Sequence, residues 1–286
     1  MFVEEKSFEI ALCQMNVVEM KEQNLKRAVA MIREASDHGA TMVVLPEMFN
    51  CPYDNDKFVE YAENRRTSNS LKAISRAANE NNVYVVAGSI PEDDGENIYN
   101  SSFIFDDNGD VLDVHRKIHL FDVDVSEGIS FKESNTITPG EKVTVIDTPI
   151  MKFGVAICFD LRFPELFRLM AIEGAKLVVV PGAFNMTTGP AHWETTLRTR
   201  AIDNQIYMAA VSPARNHELS YVAYGHSMVV DPWGDVVETA KEEETIVYAT
   251  INEDLVNKIR EELPLLKNRR EDIYELIKKE KSTNLE

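Results

Sequence analysis

Apolar residues along the chain fall into two rhythms. Short, nearly unbroken apolar runs recur at 8–13, 41–45, 83–87 and 153–157. Each is too short for a helix and rich in β-branched residues, so each predicts a strand buried on both faces. Between them the spacing becomes helical. Leu25, Ala28, Val29, Ile32 and Ala35 share one face of 24–38, which Gly39 closes. Leu71, Ile74, Ala77 and Ala78 do the same over 68–81. The order β-α-β-α-β predicts a layered α/β sheet with helices packed outside it.

From Tyr99 the rhythm shortens. Strands at 100–105 and 111–116 flank Asp106-Asp107-Asn108-Gly109, a hairpin turn by composition. Residues 117–139 read as a long irregular loop, of a length that marks function or disorder. Strands follow at 143–147 and 152–157, then a helix at 164–173 and a strand at 176–180 that ends in Pro181. A helix at 191–204 and a strand at 207–211 come next. Strands at 223–230 and 236–238 flank the turn Asp231-Pro232-Trp233-Gly234-Asp235. A strand at 244–251 and a helix at 254–262 complete the pattern. No linker, repeat or low-complexity segment interrupts it, so residues 1–286 predict one domain. From about residue 264 the chain reads as a tail. Its basic groups, Lys267 to Arg270 and Lys278 to Lys281, predict either a solvated end or an arm that packs on a partner subunit.

Composition narrows the function classes. Apolar residues make up 44% and charged residues 27% of the 286, as in ordinary soluble domains. A net charge of −18 argues against nucleic acid and anionic membrane surfaces as partners. Cys13, Cys51 and Cys158 form no CxxC pair, which argues against a disulfide framework or a zinc ribbon and suits a reducing cytoplasm. The start, MFVEEKSFEI, lacks the basic and then apolar regions of a signal peptide, so a cytoplasmic location is expected. No run is long and apolar enough for a membrane span.

Three reactive side chains stand at strand ends. Cys158 follows 153–157, where the strand pattern breaks before helical spacing resumes at Leu166, Leu169 and Met170. Glu47 follows 41–45, and Lys117 follows 111–116. In an α/β sheet such edges form binding clefts. If the three strands share one sheet, the side chains meet at one edge. A carboxylate beside a thiol is a general base, and a lysine favours the thiolate and holds a developing oxyanion. Together they form a kit for acyl transfer through a thioester. The bland alternatives are a core cysteine, a surface turn glutamate and a solvated lysine.

Three segments carry a resemblance. Leu45-Pro46-Glu47, His115-Arg116-Lys117-Ile118-His119, and residues 154–165 (GVAICFDLRFPE) resemble, in order and spacing, the signatures of the nitrilase superfamily of carbon–nitrogen hydrolases. The resemblance runs from Phe8 to about Tyr274. It implies a four-layer α-β-β-α sandwich, catalytic Glu47, Lys117 and Cys158, no cofactor and no metal. It implies a second glutamate in the loop after the lysine, assigned to Glu133 rather than Glu127 because Ser134 and then Pro139-Gly140 follow it. It also implies an oxyanion donor in the backbone N–H of Phe159. Superfamily members commonly pair, so a homodimer or higher homo-oligomer is expected, joined through the helix at 164–173 with Phe163, Phe167 and Met170 nearby.

Residues 181–194 (PGAFNMTTGPAHWE), Ser212 to Arg215 and Tyr224 to Ser227 are similar to the ω-amidase branch. The branch implies hydrolysis of the terminal amide of a small α-keto dicarboxylic acid monoamide, α-ketoglutaramate or α-ketosuccinamate. The alternatives are an amidase acting on deaminated glutathione, a carbamoylase or nitrilase of the same superfamily, and a non-catalytic interaction protein. An acidic protein that binds an anion needs a local positive site. Arg162, four residues past the nucleophile, is the candidate for the substrate carboxylate, against a structural salt bridge to Glu165 or Asp160. The hydroxyls of Thr187 and Thr188 are expected to add hydrogen bonds, and Tyr53 to close the mouth.

The remaining motifs are weaker. His115 and His119 have the i, i+4 spacing of a helical metal pair but fall at a strand end. His192 and Trp193 are expected to pack at a helix start. Cys13 reads as core, and Cys51 as a packed thiol or a liner of the pocket mouth. No P-loop or GxGxxG occurs.

Overall fold

The computed structural model describes residues 6–126 and 128–279; Glu127 and Lys281 lie outside the described residues. The first half of the chain builds one sheet. β1 (Ser7–Gln14), β2 (Met42–Val44) and β3 (Tyr84–Val86) run parallel, in the order β1-β2-β3. The crossovers are α1 (Lys21–Asp37) and α3 (Asn69–Asn81), with a short α2 (Asn55–Tyr61) before α3. β4 (Ile90–Asp93), β5 (Ile98–Phe105) and β6 (Val111–Arg116) extend the sheet antiparallel. A small ribbon follows, β7 (Asp122–Asp124) with β8 (Ser130–Lys132).

The second half builds another sheet. β9 (Thr144–Ile146) is antiparallel to β10 (Phe153–Val155), and β10, β11 (Leu177–Pro181) and β12 (Tyr207–Val211) are parallel. β13 (Met228–Val230) and β14 (Val236–Thr239) finish that sheet. Its helices are α4 (Pro164–Ile172) and α5 (Gly189–Asn204). β15 (Thr245–Asn252) then returns to pair with β1, and α6 (Glu253–Glu262) ends the regular structure.

Side-chain alternation along each strand explains the layers. Ile10, Leu12, Met42, Val44 and Val86 face Phe153, Val155, Leu177, Val179 and Ala209 in one core between the sheets. The intervening Ala11, Cys13, Val43 and Val85 pack under α1 and α3. Val178, Val180, Met208 and Ala210 pack under α4 and α5. Both faces of each central strand are therefore dry, as the all-apolar runs predict, and the four layers are α-β-β-α. No described helix is long and apolar enough to cross a membrane.

Several details depart from the pattern reading. α2 has only Phe58 and Tyr61 buried, too little periodicity to read, but Asp54 caps it by accepting from the Asp56 N–H at 2.9 Å. β4 carries Pro91, which an edge strand tolerates. The loop at 117–139 contains the β7–β8 ribbon and a turn of 3₁₀ helix at Glu133–Asn135. The strand expected at 223–230 shrinks to β13 plus a single bridge from Ala223 to Asn185. On α4, Phe167 and Met170 are fully buried in the core of their own subunit, and Phe163 stacks on His119 at 3.6 Å. Phe167 and Met170 are therefore covered by their own chain, while Phe163 stays partly exposed.

Candidate active site

The strands that carry the reactive residues do not share a sheet. Glu47 and Lys117 come from the first sheet and Cys158 from the second. They meet across the sandwich, at the same end of the facing β2 and β10, rather than along one sheet edge.

Each side chain is set by a local device. Past β2 the chain turns sharply at Pro46-Glu47-Met48, with Met48 at φ +51. Ser89 holds that turn: its Oγ accepts from the Met48 N–H at 2.9 Å, and its carbonyl accepts from the Phe49 N–H at 3.1 Å. Gly88 passes so close that a Cβ there would lie 2.0 Å from the Pro46 oxygen, so no other residue fits. Lys117 is pinned at both backbone groups. Its N–H donates to Asn100 O at 2.9 Å and its carbonyl accepts from the Gly140 N–H at 2.7 Å. The ribbon presents Glu133: its N–H donates to Phe121 O at 3.2 Å, and Oε2 accepts from the Phe121 N–H at 2.6 Å.

Cys158 opens a 3₁₀ turn, Cys158–Arg162, in a left-handed conformation at φ +46. A non-glycine residue there is uncommon, and the turn is held by Asp160. The buried Asp160 carboxylate accepts from the Ile157 N–H at 3.0 Å, the His119 N–H at 2.8 Å and His119 Nδ1 at 2.7 Å. His115 Nε2 lies 3.3 Å from it. One carboxylate thus ties the cysteine turn to the strand end that bears Lys117. The first hydrogen bond of the turn runs from the Asp160 N–H to Ile157 O, so the N–H groups of Cys158 and Phe159 precede it.

The four groups converge in a nearly dry site. Glu47, Lys117, Glu133 and Cys158 are 1%, 0%, 0% and 3% exposed. Lys117 Nζ is 2.8 Å from Glu47 Oε1, 2.9 Å from Glu133 Oε2 and 3.1 Å from Tyr53 Oη. Asn100 Nδ2 bridges the carboxylates, at 2.9 Å from Glu47 and 3.2 Å from Glu133. Glu47 Oε2 accepts from the Ala183 N–H at 2.9 Å, and Glu47 and the Cys158 thiol are near enough for each to shift the other's pKa. Burial works against the charge on Lys117, but Glu133 and Glu47 outweigh it and hold its pKa well above the usual range. Burial, reinforced by the Glu133 charge, raises the pKa of Glu47. Burial and then the Glu47 charge push the Cys158 thiol well up, more than Lys117 and the Ala183 N–H bring it down. Lys117 and a backbone N–H favour the thiolate as expected, but burial and the Glu47 charge work against it more strongly.

This geometry matches known proteins. The sequence profile of the carbon–nitrogen hydrolase family matches residues 9–261. The chain belongs to the carbon–nitrogen hydrolase family. Omega-amidase NIT2 of Mus musculus is 48% identical over 268 residues, spanning 94% of this chain and 97% of that protein. Nitrilase homolog 2 of Dictyostelium discoideum is 47% identical over 274 residues, 95% and 83% of the two chains. The crystal structure of Saccharomyces cerevisiae Nit3, a member of branch 10 of the nitrilase superfamily, superposes with a TM-score of 0.85 at 43% identity, covering 92% of this chain and 97% of that one. The superfamily, its ω-amidase-like branch and the four-layer fold expected from the sequence are borne out.

In this carbon–nitrogen hydrolase the other expected residues fall as follows. Arg162 lies half-buried, its guanidinium 4.9 Å from the Phe184 ring centroid and 5.6 Å from that of Phe159. Nη1 donates to His192 Nδ1 at 3.2 Å, and Arg162 makes no ion pair with Glu165 or Asp160. Tyr53 is buried, with its hydroxyl on Lys117 and its side chain lining the small cavity beside Glu47. Thr187 is exposed, and the Thr188 hydroxyl donates to Asn185 Oδ1 at 3.4 Å. Trp193 packs in the core as expected, whereas His192 is exposed. Cys13 is core, with burial pushing its thiol pKa far up. Cys51 lines, with Glu47, Tyr53, Ala183 and Tyr221, a cavity of ≈ 20 Å³, room for about one water.

Sequence reading gave no role at the site to Asn100, Ala183 and Tyr221, and named Asp160 only as a salt-bridge partner for Arg162. Asn100 had a signal: it is an amide at an inward position of a predicted strand. Asp160 had one too, an acid two residues past the nucleophile. Ala183 contributes only its backbone, which no side-chain pattern reveals.

Proposed function

We propose that the protein is an ω-amidase, hydrolysing the terminal amide of a small α-keto dicarboxylic acid monoamide such as α-ketoglutaramate or α-ketosuccinamate. The observation that carries this reading is a buried base, lysine and second carboxylate in contact with one another beside a buried thiol, with the Arg162 cation, which has no carboxylate partner among the described residues, close by. Near-half identity to omega-amidase NIT2 over most of both chains supports the substrate class.

The reaction begins with a thiol. Glu47 takes the proton from Cys158 Sγ as sulfur attacks the amide carbon. The tetrahedral oxyanion is held by Lys117 Nζ and the Phe159 N–H. Of the contacts to Lys117, that to the neutral Tyr53 hydroxyl is the weakest, so it is the one the oxyanion replaces. Glu47 passes its proton to the amide nitrogen, the carbon–nitrogen bond breaks, and ammonia leaves a thioester on Cys158. Water then gives a proton to Glu47 and attacks the thioester. Sulfur departs and recovers that proton. Glu133 shares Lys117 with Glu47 and orients lysine and substrate. Arg162 pairs with the distal carboxylate.

Quantified ammonia release from an amide panel tests this reading. Both keto acid amides are expected to be turned over, and Cys158→Ala to abolish release. Arg162→Ala is expected to lower kcat/KM on α-ketoglutaramate about 10- to 100-fold, the loss of a charge-assisted bond, and to affect an uncharged amide of equal length less. Release from uncharged amides alone refutes the substrate assignment.

A homodimer in a reducing cytoplasm completes the proposal. Three free cysteines support the compartment. Exposed Leu265, Ile273, Tyr274 and Ile277 support a tail that packs on a partner.

A further inference from the structure

Asn185 sits in the loop between β11 and α5 and is 5% exposed. Its Oδ1 accepts from the N–H groups of Thr187 at 2.9 Å and Thr188 at 3.0 Å. Backbone N–H groups only donate, so they settle which end of the amide is oxygen and turn Nδ2 the other way. Nδ2 is buried and makes no well-formed hydrogen bond among the described residues; its contact with the Tyr221 hydroxyl, itself committed to Ala183 O, falls short of one. A buried donor left unpaired is costly, and such groups concentrate where something else supplies the partner.

The surroundings of Nδ2 belong to the reaction site. The preceding residues run past Cys158: a Cβ on Gly182 would lie 3.3 Å from the Cys158 Cα, Ala183 donates to Glu47, and Phe184 lies under Arg162. Nδ2 faces Tyr221, whose hydroxyl donates to Ala183 O and is close enough to Cys158 and Glu47 to feel their charges. Asn185 bridges to Ala223, which lines the small cavity beside Glu47. The Arg162 guanidinium, with one N–H committed to His192 and no carboxylate partner among the described residues, lies over the ring of Phe184, the residue before Asn185.

We propose that Asn185 is a specificity-determining residue whose Nδ2–H₂ donates, beside Arg162, to the carboxylate of the substrate distal to the scissile amide. This rests on the ω-amidase reading. Arg162 supplies the charge, and Asn185 supplies a directional donor whose orientation the Thr187 and Thr188 amides hold fixed. The two threonines therefore serve the substrate through Asn185, not through their own hydroxyls.

The test compares kcat/KM for α-ketoglutaramate with that for an uncharged amide of the same chain length, in the wild-type protein and in Asn185→Asp and Asn185→Ala. Asn185→Asp keeps the oxygen that accepts from the threonine amides and sets a second carboxylate oxygen against the ligand. It is expected to lower the charged-to-uncharged ratio about 10- to 100-fold, mainly through KM, and Asn185→Ala about 10-fold. Thermal unfolding of both variants reports folding separately. Folded variants with an unchanged ratio in an active background overturn the role of Asn185 and leave the ω-amidase reading intact. A wild-type protein that releases no ammonia from the keto acid amide overturns both.

Discussion

Glu47 is under two opposing demands. It must be ionised to take the proton from Cys158, yet burial and the neighbouring Glu133 raise its pKa. The reactive form pairs ionised Glu47 with protonated Cys158, so kcat/KM should rise with pH as Glu47 loses its proton. Because that pKa is raised, the acid limb should lie above the ordinary glutamate value of about 4.3. On the alkaline side, Cys158 and Lys117 both titrate far above their usual ranges, so activity should persist well past neutrality. Glu47→Gln should cost on the order of 10³ in kcat and flatten the acid limb. A pH–rate profile of the two proteins checks this. An acid limb that survives unchanged in Glu47→Gln would transfer the base role to another group.

At the scale of elements, the site depends on two turns held by other segments. Gly88-Ser89 shapes the turn of Glu47, and Asp160 ties the turn of Cys158 to the end of β6. The Asp160 carboxyl is held far below the usual range, since hydrogen bonds from His115, His119 and Ile157 overcome a larger desolvation cost. A depressed carboxyl binds fewer protons folded than unfolded, so its stabilisation is full above the ordinary aspartate range. It is lost as pH falls through that range toward the folded value. Asp160→Asn should destabilise the fold by on the order of 3 kcal/mol at neutral pH and less in acid. It should also lower kcat roughly 100-fold with little change in KM, because the turn carries the nucleophile. Denaturant melts at pH 7 and pH 4, read with steady-state kinetics, test both parts. A variant with wild-type kcat would leave Asp160 a purely structural tie.

At the scale of the whole molecule, the reaction centre lies between two sheets that share one core. Neither half of the chain holds a complete site, since Glu47, Lys117 and Glu133 precede β9 and Cys158 follows it. The tail beyond α6 leaves Ile273, Tyr274 and Ile277 more than half exposed, at 68%, 57% and 62%. If those side chains are covered by a second copy, the full-length protein should scatter light as a dimer at micromolar concentration. A chain ending near residue 263 should shift toward monomer. A full-length monomer would refute the dimer.

The central strands and long helices were legible because burial on both faces writes all-apolar runs, and burial on one helical face writes a stripe. Glu47, Lys117 and Cys158 stood out because each follows such a strand within a specific signature. Glu133 was legible through the resemblance alone. Short elements such as α2 and the β7–β8 ribbon bury too little to leave a period. The meeting place of the catalytic residues was a tertiary decision. Strand patterns state that a strand is buried, not which sheet it joins, and here the facing of two sheets brings Cys158 to Glu47. The same holds for ionisation. A motif names a thiol and a lysine, but only burial in the fold shows that desolvation works against the thiolate. Thr187 and Thr188 were named from their hydroxyls, while the fold uses their backbone N–H groups to orient Asn185, because a loop's hydrogen bonds depend on backbone direction that no side-chain pattern encodes.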